Sequence, residues 1–274
     1  MSLRLCVLGS SSSGHAVYVA SKRTGVLIDA GFSARELFRR LALIGVAPAE
    51  ISAVCVTHEH SDHTTGLSVL HRRYRLPLYA NAGTIDGLVH LRADPRIRWN
   101  VFTTGAGFTV GDLVLEPFSI PHDACDPVGF VVSHDGISVG IATDMGMPTT
   151  LIRARLSACA AVVLESNHDV DMLHRSSRPW ALKQRILGRQ GHLSNERALA
   201  LLHDIAGPHL RQVFLAHLSQ ECNHGDTALT DVRRELAQAG HETVRVDLTY
   251  PDRPSDVWEA TGTRIEADNP KPGW

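Results

Sequence analysis

The chain has 274 residues, a formal net charge of −2 and 43% hydrophobic residues, which suits one large domain with a sizeable core. So even a charge balance excludes the global basic field that draws proteins to nucleic acid without regard to a site. No charged and apolar leader opens the chain and no apolar run reaches membrane-spanning length, so a cytoplasmic protein with no membrane partner is expected. The five cysteines, Cys6, Cys55, Cys125, Cys159 and Cys222, show no metal-ligand spacing; Cys6 and Cys55 read as core filling within apolar strands.

Taken in order, Leu3 to Leu8 reads as a strand, Gly9 to Gly14 as a turn and Ala16 to Ala20 as the returning strand. The serine-rich turn lacks the G-K-[ST] ending of a phosphate loop and reads as a hairpin loop near a site. Val26 to Ile28 runs into Asp29, which suits a hydrogen-bond partner for a ligand histidine and an exposed strand-end aspartate equally well. Ser33 and Glu36 have the spacing of a capping box before a helix with Leu37, Leu41 and Ile44 on its apolar face and Gly45 as its stop.

An apolar strand, Ile51 to Val56, then delivers Thr57-His58-Glu59-His60-Ser61-Asp62-His63. Three imidazoles and a carboxylate in six positions are a ligand set for zinc or manganese. His58 and His60, two apart in extended chain, can face one side. Asp62 and His63, where the chain bends into a helix through Leu67, Leu70 and Tyr74, can address a second position. The spacing points to two ions rather than one; the competing reading is a solvated polar loop. A strand at Leu78–Tyr79, a helix at Gly83–Leu91 and a β-rich middle from Ile97 to Ile141 follow. Helices are expected at Met147–Ser157, Pro179–Leu187, Ser194–Ala206 and Asp226–Ala239. Residues 1–250 are read as one domain and 251–274 as a polar, proline-rich tail that frays.

Single histidines and aspartates recur behind the other apolar runs. Phe118–Ile120 leads to His122, Val139–Ala142 to Asp144 and Val213–Ala216 to His217. In a layered α/β domain the carboxyl ends of strands gather on one edge, where sites form. A lone histidine after a strand is ordinarily structural, but with the opening motif these residues make seven ligands: His58, His60, Asp62, His63, His122, Asp144 and His217. Two ions sharing a water need about that number.

Leu27–Gly31, Thr57–Gly66, His122, Thr143-Asp144 and Leu215–Ser219 resemble the five successive motifs of the metallo-β-lactamase superfamily. The resemblance implies an α/β fold: an αββα four-layer sandwich of mixed sheets with helices on both outer faces and metals at one edge. It implies that His58, His60 and His122 hold one ion, that Asp62, His63 and His217 hold the other, and that Asp144 bridges them. His60 resembles the hydrolase pattern; the flavo-diiron branch carries glutamate there. The cofactors so implied are two divalent ions, zinc or manganese, with iron as a third candidate.

More narrowly, Gly9–Gly14, Thr57–His63, Tyr79-Ala80-Asn81, Glu165–Asp169 and Gly191–Glu196 resemble the YycJ (WalJ) group of bacterial metallohydrolases, regarded as DNA-directed nucleases with 5′-to-3′ exonuclease character. Ser11 and His15 stand where that group tends to carry glycine and asparagine. Gly191-His192 with Leu215–Ser219 also resembles the tRNase Z phosphodiesterases, in which the histidine and glutamate matching His192 and Glu165 act together beside the scissile phosphate. Asp62, His192 and Glu165 are accordingly the expected catalytic residues. Between Met172 and Gly191 stand Arg175, Arg178, Lys183, Arg185 and Arg189 with no acid. Such a stretch suits a phosphate backbone or, equally simply, a solvated helix face. Arg185, Arg189 and His168 are the candidate substrate-binding residues, while Trp180 reads as core ahead of a stacking platform. The substrate expected is nucleic acid, DNA ahead of RNA. A thioester or lactone hydrolase of the same fold is the alternative, and a non-catalytic nucleic-acid-binding module a third reading.

Overall fold

A computed structural model describes residues 2–91 and 94–261. Two seven-stranded sheets face each other. The first contains β1 (Ser2–Ser11), β2 (Gly14–Ala20), β3 (Gly25–Ile28), β4 (Ile51–Cys55), β5 (Leu78–Asn81) and β6 (Trp99–Phe102). The second contains β7 (Phe108–Val110), β8 (Leu113–Ser119), β9 (Val128–His134), β10 (Ile137–Ala142), β11 (Ala161–Glu165), β12 (Gln212–Ala216) and β13 (Arg245–Leu248). The last described strand, β14 (Trp258–Thr261), returns to pair antiparallel with β1 and closes the first sheet.

Residue alternation along the strands builds three apolar layers. Leu3, Leu5 and Val7 of β1 meet Val163, Phe214 and Phe130 between the sheets. Their neighbours Cys6 and Leu8 face outward, under α1 (Ala34–Leu43), α3 (Leu67–Tyr74) and α4 (Ala82–His90). On the other side Val162, Leu164, Val213 and Leu215 lie under α5 (Thr150–Leu156), α8 (Asn195–Ile205) and α9 (Gly225–Gln238). Strands buried on both faces read as continuous apolar runs, which is why β1, β11 and β12 stand out in the sequence. The remaining α-helices are α2 (Ser61–Thr64), α6 (Val170–Arg175) and α7 (Trp180–Leu187). The result is the αββα sandwich.

Strands β3 to β6 are mutually parallel, as are β10 to β13. β8 and β10 both run antiparallel to β9 and hence parallel to each other. The carboxyl ends of β3, β4, β8, β10, β11 and β12 therefore deliver Asp29, the His58–His63 loop, His122, Asp144, Glu165 and His217 to one edge of the sandwich.

Several elements differ from expectation. The serine-rich turn is mostly strand: Ser10 and Ser11 are buried in β1, and Ser12-Ser13 alone make the turn. Both buried hydroxyls find a partner there: Ser10 accepts the His217 amide and Ser11 accepts the Ser13 amide. The Ser33 hydroxyl does accept the Glu36 amide, but the Glu36 carboxylate pairs with Arg39 and Arg40, so the reciprocal half of the capping box is missing. α5 starts at Thr150 because Thr149 caps it through the Ile152 amide. The helix α6, capped by Asp169, is too short to show a periodic signature. In the stretch expected to fray from residue 251, Ser255 accepts the Val7 amide through its hydroxyl and β14 follows; residues 262–274 lie outside the described residues.

Phe130 is fully buried between the sheets. Phe130→Ala is expected to cost about 3–5 kcal/mol in denaturant-monitored unfolding. A loss below about 1 kcal/mol would mean that the two sheets do not depend on this shared layer.

Candidate metal centre

The His58–His63 loop is held from beneath by Asp29. At the end of β3 the backbone of Asp29 turns left-handed, φ 64°, and its amide donates to the Cys55 carbonyl at 2.9 Å. One carboxylate oxygen accepts the Thr57 amide at 2.8 Å; the other accepts the Thr57 hydroxyl at 2.8 Å and His63 Nδ1 at 2.7 Å. The Thr57 hydroxyl oxygen in turn lies 2.9 Å from His58 Nδ1. A single buried carboxylate thus orients two imidazoles and leaves Nε2 of each facing the centre. Gly31 lets the next turn lie against the loop, since a Cβ there would run into the Asp62 carbonyl oxygen.

Two ligand groups result. His60 Nδ1 lies 3.2 Å from His58 Nε2 and 3.3 Å from His122 Nε2. In the second group, Asp62 Oδ2 lies 3.7 Å from His63 Nε2 and 3.5 Å from His217 Nε2. Asp144 stands with both: Oδ2 is 3.2 Å from His63 Nε2, Oδ1 is 3.3 Å from His217 Nε2, and His58, His63 and Asp144 form a further ligand-competent set. A tetrahedral ion with ligands at about 2.0–2.1 Å has ligand atoms about 3.3–3.4 Å apart, close to these separations. His63 Nε2, His217 Nε2 and Asp144 Oδ2 are buried without a hydrogen-bond partner, as expected of atoms whose partner is a cation. The donor set and its geometry therefore fit divalent metal ions, and the residues that the resemblance assigns to each ion lie together in space.

Asp144 and His217 end their strands in the left-handed region, at φ 59° and 55°, which swings each side chain over the edge of the sheet. The His217 amide donates to Ser10 Oγ at 2.9 Å, and the same hydroxyl lies 2.9 Å from His15 Nδ1. His15 is fully buried, with its ring 5.2 Å from that of His63. Sequence reasoning assigned neither residue to the site; His15 was marked only as a departure of the first loop from the group's pattern, and Ser10 carried no signal of its own.

Behind the ligands, Glu165 is buried at the end of β11. Its Oε2 accepts the Met145 amide at 2.7 Å and its Oε1 accepts His192 Nδ1 at 2.7 Å. Burial disfavours the charged His192 ring, but Glu165 and Asp144 outweigh it and raise its pKa. A cavity of about 120 Å³ lies beside His192, lined also by Ser12, Asn167, Arg178, Arg185 and Ser219. Arg185 donates through Nε to Asp123, and Arg178 donates to Glu221 at 2.9 Å. Arg189 is exposed and has no ion pair among the described residues. Lys183 is not available to substrate: it is buried and donates to the His174 and Ser176 carbonyls, each at 2.7 Å. Trp180, expected in the core, is 60% exposed. His168 is buried, not on the surface of the cavity, and burial lowers its pKa to about 4.

Charges inside the centre are strongly interdependent. Burial would raise the Asp144 carboxyl, but the His217 and His63 rings hold it well below the usual carboxylate range. Burial would lower both rings, yet Asp29 and Asp144 raise His63 well above its ordinary value, and Asp144 with Asp62 raises His217 to about 9. His58, dominated by burial, is driven well below its ordinary value.

The chain matches the family described as Beta-lactamase superfamily domain over residues 24–218. It is 35% identical over 263 residues to the exodeoxyribonuclease YycJ of Bacillus anthracis, covering 94% of this chain and 99% of that one. With the exodeoxyribonuclease WalJ of Streptococcus pneumoniae it shares 34% identity over 236 residues, covering 85% and 88%. Among solved structures, the metallo-β-lactamase fold protein YhfI of Bacillus subtilis superposes with a TM-score of 0.70 at 14% identity, over 93% of this chain and 99% of that one.

A proton-for-metal exchange follows from these shifts. In chelator-stripped protein, His63 and His217 hold protons that the unfolded chain releases above its ordinary imidazole value of 6.5. The stability so gained is complete below 6.5; the share of His217 is lost as pH rises through about 9, and that of His63, whose ring is held well above 6.5, is likewise lost only above that value. His58 works the opposite way, but only below 6.5. The thermal midpoint of stripped protein is therefore expected to fall between these limits, whereas metal-loaded protein, with ions in place of the protons, should not follow it. Identical pH profiles with and without chelator would overturn the assignment of these rings as ligands.

Proposed function

Because the chain belongs to the β-lactamase superfamily and is a metal-dependent hydrolase related over nearly its whole length to exodeoxyribonucleases, we propose that it is a two-metal exonuclease acting on DNA. The observation that carries this reading is the His192–Glu165 pair, which lies with Asp144 and His217, has the His192 ring 5.4 Å from that of His122, and opens on an arginine-lined cavity. Zinc or manganese suits the imidazole and carboxylate donors. Unpaired cysteines and the nuclease relatives support action in the cytoplasm.

Two divalent ions bound here would lower the pKa of a water to near neutrality and offset charge on both oxygens of an in-line displacement. The protein's own residues do the rest. His58, His60, His122, Asp62, His63, His217 and Asp144 fix the donor atoms in advance, so no reorganisation is needed as charge develops. His192 donates Nδ1–H to Glu165; in its charged form Nε2–H remains free to pass a proton to the departing sugar oxygen. Glu165, bound also by the Met145 amide, keeps the ring in that orientation. Arg178 and Arg185, each anchored through Nε by a carboxylate, present their remaining guanidinium donors to a phosphate of the bound strand. Arg189 extends the same positive side. His168, behind the cavity wall, would act on substrate only through Asn167, whose Oδ1 is 3.3 Å from its Nδ1.

His192→Ala should lower turnover by about 10²–10⁴-fold with strand binding largely kept, and Asp144→Asn should abolish hydrolysis with an unchanged circular dichroism spectrum. Near wild-type rates in either variant would remove that residue from the mechanism. Replacing Arg185 and Arg189 by alanine should weaken binding alike for all sequences and flatten its salt dependence by about two counterions. A thioester or lactone hydrolase makes the opposite forecast. It would show no salt-dependent oligonucleotide binding and no preference between 5′- and 3′-labelled DNA strands, yet would cleave the small ester.

A further inference from the structure

Within the Thr57–His63 motif, Glu59 stands between two candidate ligands and belongs to neither ligand group. The period of an extended chain explains this: if His58 and His60 face the centre, the residue between them faces away. Its side chain is nonetheless buried, 7% exposed, and accepts the Cys125 amide at 2.8 Å through Oε1, while Oε2 is buried without a partner. Cys125 is three residues beyond His122, in the loop joining β8 to β9. That loop belongs to the second sheet, whereas His58 and His60 belong to the first. The bond from Glu59 thus spans the two chain segments that must cooperate to build the all-histidine ligand group.

A glycine on α4 makes room for it. At Gly87 a Cβ would sit 2.7 Å from the Glu59 carboxyl carbon and 2.9 Å from Oε1. Glycine is otherwise unfavourable inside a helix, so its presence here is explained by the carboxylate packed against it. On the far side of the same loop Asn81 Nδ2 donates to the Asp126 carbonyl at 2.7 Å; on the side of His122, Glu59 acts together with the Gly191 carbonyl, 3.2 Å from His122 Nδ1, and with Arg185, which donates to Asp123.

We propose that Glu59 is a positioning residue for the first ion: by holding Cys125 it sets His122 in register with His58 and His60, and so sets that site's affinity separately from the second. The inference rests on the two-ion reading of the centre. It concerns the geometry of one ligand group and not the chemistry at the other.

The test is cobalt(II) titration of apoprotein, followed by absorption spectroscopy and calorimetry. His122→Ala and His217→Ala serve as references for loss of the first and second ion. Glu59→Ala should weaken the first ion by about 10–100-fold, the range for losing an outer partner of a ligand, and leave the second unchanged. Glu59→Gln, whose amide oxygen still accepts the Cys125 amide, should restore most of that loss. Gly87→Ala provides a second route: alanine favours the helix but presses on the carboxylate, so the helix should persist while the first ion weakens. If wild type binds one ion, the two-ion reading fails. If wild type binds two and Glu59→Ala and Gly87→Ala bind both as tightly, Glu59 is not a positioning residue. Equal weakening of both ions in the two variants would likewise overturn the inference.

Discussion

The centre depends on one buried carboxylate. Asp29 lies under the ligand loop and binds the Thr57 amide, the Thr57 hydroxyl and His63 Nδ1 at once. Thr57 in turn reaches His58, so one anion determines the orientation of ligands in both groups. An imidazole with one nitrogen so engaged offers the other in a fixed tautomer. A carboxylate without such partners would be costly to bury; here every bond it accepts is also a constraint on the site.

The same edge uses backbone strain. Asp29, Asp144 and His217 all adopt the left-handed conformation at the end of a strand, a region non-glycine residues seldom occupy. Glycine would relieve the strain and remove the functional side chain. The sandwich sustains it because the flanking strands are buried on both faces and leave the strand end no alternative path. For His217 the Ser10 hydroxyl completes the arrangement, by accepting an amide that the turn would otherwise leave unpaired.

What was legible in the sequence follows from these constraints. The seven candidate ligands, which the fold brings together, were readable because four cluster within six positions and three follow apolar runs that could only be buried strands. Glu165 and His192 were visible through resemblance, since nothing in their local spacing separates them from ordinary strand-end and helix-cap polarity. Ser10 and His15 were not visible as site residues: Ser10 meets His217 across 207 positions of chain, and their local pattern is that of a polar turn. Glu59 was hidden for a different reason, because its neighbours draw all the chemical attention while its own partner lies in the other sheet. Trp180 was misplaced because a large apolar residue at the start of a helix carries no mark of the face it takes, and the short α6 lies below the length at which periodicity speaks.

The division of ligands between the sheets bears on the order in which the molecule can come into being. The motif loop precedes the rest of the centre in the chain and carries two members of each candidate ligand group, but each group lacks its third: His122 for one, His217 for the other. The first sheet is itself unfinished until Trp258–Thr261 pairs with β1. A chain that ended before His122 would carry two donors of each group on a sheet still open at β1, with neither set of three complete. Both groups are complete only where the second sheet, which brings His122 and His217, meets the first, so the shape of the centre is a property of the docked sandwich and of neither sheet alone.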